Sequence, residues 1–169
     1  MKTELKVKKH DNRPDLTGEH PFGDLGQLIL LILFILIWVA DIFFIKLSET
    51  EFLNVPLWIN IPIGVFILLT GFLFASKSMK TIFGIKKDKP EIVQEKIYNK
   101  VRHPMYLGAI LFYLGITLIM FSLPLAIMFV IIFLFYNFIA QHEEKLLVNQ
   151  FGDDYKFYMK KVRRWIPKI

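Results

Sequence analysis

Four apolar runs, each about as long as a bilayer's hydrocarbon core is thick, restrict this chain to a helical membrane fold. They cover residues 25–45, 56–75, 104–121 and 123–140. A core of about 30 Å is crossed by about 20 residues at about 1.5 Å of helical rise each. Inside hydrocarbon the backbone has no water to bond, so such runs form helices that satisfy their own polar groups. The hydrophobic fraction of 54%, with 17 Phe, is too high for a soluble domain of 169 residues. The first run is too long for a secretory signal, and no small-residue cleavage site follows it.

The expected fold is therefore all-α and integral to the membrane. It has four transmembrane helices, a C-terminal helical hairpin and a cytoplasmic interfacial C-terminal helix. A polar tail, residues 1–24, precedes a single membrane domain, residues 25–169. The third and fourth runs meet at Ser122-Leu123-Pro124, which is tight enough to force an antiparallel hairpin. Gly64 and Gly71 lie seven apart on the second run, and Gly108 and Gly115 on the third, giving each a face for close helix contact within the chain or between copies. Pro62 is expected to kink or offset the second helix near its start.

The net charge of +6 raises nucleic acid as a partner. The basic residues flank apolar blocks, however, so anionic headgroups account for them better and no nucleic-acid partner is expected. The 76–102 loop and the tail after residue 140 are rich in Lys and Arg, while the 46–55 and 122–124 turns carry Lys46 alone. The positive-inside rule then puts both termini and the large loop in the cytoplasm. The short length suggests a prokaryotic cell membrane. With no cysteine, disulfides, thiolate metal sites and cysteine nucleophiles are excluded, and no metal site is expected.

Asp41 stands inside the first run, where an acid is expensive unless paired. Its closeness to Lys46 predicts that both reach headgroups. After the fourth run, Phe151, Tyr155, Tyr158, Val162 and Trp165 recur at helical spacing among Lys and Arg. That pattern predicts a helix lying on the membrane, either as an anchor or as a cover over a site between helix ends.

Two constellations carry candidate chemistry. Arg102 and His103 stand just before Pro104, which suits the first position of a helix. A helix start offers free amide donors and the positive end of a dipole, so this is a receptor for a carboxylate or phosphate. Glu143 and Glu144 follow the fourth run, where paired acids oppose the helix dipole and repel each other. The hairpin returns them to the membrane face that carries Arg102 and His103. An anion receptor beside a cation receptor suits a zwitterion. The bland alternative is that the first pair marks the end of a span and the second is solvated or paired with nearby cations.

The run Tyr98-x-x-x-Arg102-His103-Pro104-x-Tyr106, then a hydrophobic hairpin, Glu143-Glu144, and Phe151-Gly152-x-x-Tyr155-x-x-Tyr158 resembles the isoprenylcysteine carboxyl methyltransferase and phospholipid methyltransferase superfamily. The likeness covers residues 90–167, the methyltransferase-like core, and ends in Val162-x-x-x-Ile166-Pro167. It implies a membrane enzyme that binds S-adenosylmethionine at the cytoplasmic face and methylates a lipophilic acceptor. Carried over by motif, Val93, Tyr98, His103, Pro104, Met105, Tyr106 and Glu143 would bind the cofactor. Arg102 would hold an acceptor's anionic group, and Glu144 or His142 would assist if the acceptor is an amine.

In two places the chain departs from the family pattern. Lys96 stands where the family often has glycine, and Ile139 where the prenylcysteine enzymes have the arginine that holds the substrate carboxylate. Arg102 or a tail arginine is left to fill that role. The acceptor could accordingly be a prenylcysteine carboxylate, a phospholipid amine, a thiol or another lipid. Two other classes stay open: an NADPH-dependent membrane reductase of the sterol-reductase type, and a non-catalytic protein that binds a lipid or partner.

Overall fold

The computed structural model describes residues 23–45, 56–84 and 92–167. Expectations for the tail 1–22, the 46–55 turn and residues 85–91 lie outside the described residues. Among them every element of regular secondary structure is a helix. Helix α1 spans Gly23–Ala40 and continues as a π-helical turn, Asp41–Ile45. Helix α2 spans Leu57–Gly84, α3 spans Pro104–Met120, α4 spans Leu123–Phe151 and α5 spans Asp153–Lys161. A short 3-10 turn, Lys96–Asn99, precedes α3.

Three segments, Gly23–Phe44, Leu57–Ile82 and Leu123–Phe151, are long and apolar enough to cross a membrane; α3 is a shorter apolar helix. Their outward faces carry bare apolar side chains, with Phe66, Phe72 and Trp58 each about 70% exposed or more. A surface of that kind is stable against hydrocarbon. The inner faces of α1, α3 and α4 meet in one core around Leu30, Phe34, Ile110, Tyr113, Leu125 and Ile132. Phe34 packs edge-on against Tyr113, ring centroids 5.0 Å apart.

The glycine faces pack within the chain. A Cβ on Gly64 would lie 2.8 Å from the carbonyl oxygen of Gly115, and one on Gly71 would lie 2.8 Å from that of Gly108. Two glycine pairs, two turns apart, thus let the backbones of α2 and α3 touch, as small residues do between membrane helices.

Several expectations are corrected. Helix α2 does not stop near residue 75 but runs on to Gly84, burying Ser78 and Thr81. Thr81 satisfies its hydroxyl by bonding the Lys77 carbonyl at 2.8 Å, which lets a polar residue sit in a helix interior. Pro62 lies inside the helix, near its start.

Helix α4 continues three turns past Ala140, to Phe151. Gly152, at φ +62°, then breaks the helical course, so the aromatic stripe is split between two helices and an extended segment. Tyr155, Tyr158 and Val162 are buried against Ile92, Leu147, Val148 and Phe151. Of the two alternatives, anchor or cover, the buried part of the stripe acts as a cover, packed on protein.

Asp41 does not reach for headgroups either. It is buried and accepts a hydrogen bond of 2.6 Å from the hydroxyl of Ser122, the residue that caps α4. Because Ser122 opens α4 and Asp41 closes α1, this pair lies at the opposite end of the helices from Glu143 and Glu144.

Candidate functional site

Local rules place the site's residues. Pro104 occupies the first turn of α3 and His103 is its N-cap residue, with its carbonyl accepting the Leu107 amide at 2.9 Å. Glu143 and Glu144 are neighbours on α4, about 100° apart around the helix axis, so they reach different partners.

His103 bridges the two acids. Its Nε2 is 3.1 Å from Glu144 Oε1 and its Nδ1 is 3.5 Å from Glu143 Oε2. An imidazole that donates to two carboxylates needs both nitrogens protonated. Burial opposes that charge, but the bonds and fields of Glu143 and Glu144 outweigh it and raise the His103 pKa above its ordinary value.

Glu144 is the hub. Its side chain is 4% exposed, and Arg102 Nη1 is 3.2 Å from its Oε1. Arg164 grips it with a fork, Nε donating to Oε1 at 3.0 Å and Nη2 to Oε2 at 2.5 Å. Such two-point pairing is the strong form of an arginine–carboxylate contact. The third nitrogen of Arg164 donates to Asn137 Oδ1 at 2.9 Å, and the same oxygen accepts from Trp165 Nε1 at 3.3 Å. A backbone bond of 3.0 Å from the Arg102 amide to the Arg163 carbonyl completes the strap that the C-terminal segment lays across the helix ends.

Glu143 is held more lightly: Tyr106 donates its hydroxyl to Oε1, and His103 stands at the longer distance given above. The Tyr106 ring lies parallel to the His103 ring with centroids 5.7 Å apart.

Arg102 has surplus capacity. Its side chain is 10% exposed, and neither Nε nor Nη1 has a hydrogen-bond partner among the described residues. The contact to Glu144 is close enough for charge attraction, but its N–H is not aligned as a hydrogen bond. A buried donor without an acceptor costs about 1–3 kcal/mol, so these donors suit an incoming anionic group.

Of the expected residues, Arg102, His103, Tyr106, Glu143 and Glu144 come together, with buried Pro104 fixing the start of α3. Tyr98 stands beside them. Its hydroxyl shares a 2.7 Å bond with Ser78, and its carbonyl accepts from the Tyr158 hydroxyl at 2.6 Å. Burial pushes the Tyr98 phenol up to about 12, so it stays neutral. Val93 is half-buried in the non-helical segment before the 3-10 turn, outside the polar contacts of the cluster. Met105 turns to an apolar groove between α1, α2 and α3.

Asn137 was not picked out by the sequence reading, which reached Trp165 only as part of the aromatic stripe and Arg164 only as one of the tail arginines. Asn137, an amide inside an apolar run, was the available signal. Ile139 is buried, so its replacement of arginine leaves no cation there. Arg164 provides one from the strap instead. Lys96 takes φ +52°, a left-handed conformation that glycine adopts most easily, which gives the family's glycine at that position a physical reason.

Long apolar helices with a buried cluster of two carboxylates, two guanidinium groups and an imidazole at one end define an integral membrane protein with a polar site. A family model for phospholipid methyltransferases matches residues 59–154, and the chain belongs to that family. A curated relative, the protein-S-isoprenylcysteine O-methyltransferase of Schizosaccharomyces pombe, is 31% identical over 109 residues. That match covers 63% of this chain and 46% of the relative, so the chain spans about half the relative's length. No solved structure matches the chain.

Proposed function

We propose that this chain crosses the membrane four times and transfers a methyl group from S-adenosylmethionine to a lipophilic acceptor at the cytoplasmic face. The observation that carries this reading is the mixed-charge cluster. It pairs buried surplus donors on Arg102 at the start of α3 with the lightly held Glu143 carboxylate. Family membership supplies the class of reaction.

The residues fit the cofactor by chemistry. Arg102 and the amides at the start of α3 suit its carboxylate. Glu143, which exchanges one tyrosine hydroxyl for a ligand, suits its ammonium or ribose hydroxyls. Tyr98 and Tyr106 offer aromatic faces to a sulfonium. Bound there, S-adenosylmethionine supplies a methyl group on a positively charged sulfur.

The protein's part is to align donor and acceptor and to keep water out, so no dedicated base is required for a carboxylate or thiolate. The strap carrying Arg164 and Trp165 closes the site on the aqueous side and holds Glu144 in place. At 17 residues, α3 is about 25 Å long, within reach of a thin hydrocarbon core. Lys77, Lys80, Lys96, Lys100 and the basic α5 all lie toward the cluster end, which supports a cytoplasmic placement.

The test is calorimetric titration of detergent-purified protein with S-adenosylhomocysteine. Binding is expected in the wild type and about tenfold or more weaker in His103→Ala and Glu143→Gln, as for loss of a charge-assisted contact. No binding to well-folded wild type would overturn the proposal.

A further inference from the structure

Beneath the charged cluster lies a groove of about 540 Å³ between α1, α2 and α3. That volume falls within the usual range for sites that take small molecules. Glycine and alanine at 71, 75, 108 and 109 keep its walls low, and Met105 brings its inner end to the start of α3. Leu28 and Phe72 line it too, and both are more than half exposed, so the groove opens sideways to hydrocarbon.

One feature does not suit a plain hydrocarbon slot. Gln27, on α1, places an amide on the wall, and the bond it makes among the described residues is a long one, 3.4 Å, from the Tyr136 hydroxyl. An amide carries two donors and a carbonyl oxygen, so most of this capacity is unspent in an apolar setting. Gln27 is half-buried on this wall, so its amide nitrogen is within reach of a ligand lying in the groove.

The position of Gln27 says what that ligand is. The Tyr136 ring lies 5.5 Å from the Tyr106 ring, which stacks on His103, so aromatic contacts run unbroken from the cluster to Gln27. On α4, Tyr136 precedes Glu144 by eight residues, or about 12 Å of helical rise. A lipid whose head reaches the cluster and whose tail lies in the groove therefore passes Gln27 near the junction of head and chain. In an acyl lipid that junction is a carbonyl, which accepts a hydrogen bond. In an ether or isoprenoid chain it is not.

We propose that the groove receives the acyl chain of the methyl acceptor, and that Gln27 donates to the carbonyl at the head of that chain, selecting acyl lipids over ether and isoprenoid ones. The proposal rests on the methyltransferase reading for the identity of the occupant. Helix α1 lies outside residues 59–154, so this selectivity belongs to a part of the chain that the family model does not match.

The test titrates detergent-purified protein with dioctanoylphosphatidylethanolamine and with its dioctyl ether twin, without cofactor. The wild type is expected to bind the ester lipid about fivefold more tightly, the effect of one hydrogen bond in an apolar setting. Gln27→Leu is expected to erase the difference, and Ala109→Leu, which fills the groove, to weaken both lipids alike. Equal binding of the two lipids by the wild type would overturn the proposal, whatever the variants do. S-adenosylhomocysteine is titrated into the same samples. Failure there with the ester preference intact removes the methyltransferase reading and leaves the lipid site; binding there with no ester preference does the reverse.

Discussion

The two ends of the helical bundle both bury acids, and they treat them in opposite ways. At the far end, Asp41 accepts a hydrogen bond from the Ser122 hydroxyl, while the Ser122 oxygen accepts one from the Leu125 amide at 3.4 Å. One small group is thereby used in both directions, and the pair ties α1 to the turn between α3 and α4. At the near end, Glu143 and Glu144 draw in two arginines, a histidine and a tyrosine, yet Arg102 keeps donors with no hydrogen-bond partner among the described residues. A buried polar group that closes on itself holds a fold together. A buried cluster with surplus donors has capacity left for a ligand, as the proposed function requires.

The largest effect should come from the hub. Glu144→Ala leaves the charges of Arg102, Arg164 and His103 without their shared counterion, and breaking such a buried pair costs about 3–5 kcal/mol. A large fall in the detergent melting temperature, with S-adenosylhomocysteine binding abolished, is the expected result. A variant as stable as wild type would mean that the cluster is not the buried network described.

A smaller change should follow at the other end. Asp41→Ala is expected to cost about 1–3 kcal/mol, the cost of leaving a buried hydroxyl short of its acceptor. Its affinity for S-adenosylhomocysteine should stay within twofold of wild type. A fall in affinity matching Glu143→Gln would break the comparison, since the far end would then be part of the site.

The smallest effect is a pH dependence confined to the near end. His103 has a raised pKa in the folded protein, so its contribution to stability is complete below its unfolded value, about 6.5. That contribution is lost as pH rises through the raised value. Melting temperatures from pH 5 to 9 should show this decline in wild type and in Asp41→Ala, but not in His103→Gln. A slope that persists without His103 would assign it to another group.

How far the sequence revealed this arrangement depended on how local the cause was. The apolar runs and the pairing of Arg102-His103-Pro104 with Glu143-Glu144 were legible, because chain direction alone returns α4 to the start of α3. The ends of α2 and α4 were not. Both helices leave the apolar region and continue as mixed polar turns, where hydropathy carries no signal. The stripe from Phe151 to Trp165 misled for a related reason: its period runs on through Gly152, although that residue's positive φ ends the helix. Asp41 and Arg164 needed partners 81 and 20 residues away, on Ser122 and Glu144, and no spacing rule supplies those.

The glycine pairs between α2 and α3 bear on which membranes suit the protein. Backbones in direct contact at two levels cannot slide or splay independently, so the short α3 cannot adjust its tilt without taking the long α2 with it. Bilayer thickness then acts on the pair as a unit, at a cost of fractions of a kcal/mol for each ångström of mismatch. With α3 as the proposed fourth span, a thicker membrane would either thin around it or draw Pro104 inward, and His103 and Arg102 would move with it. The depth of the charged cluster would then be tied to the surrounding lipid.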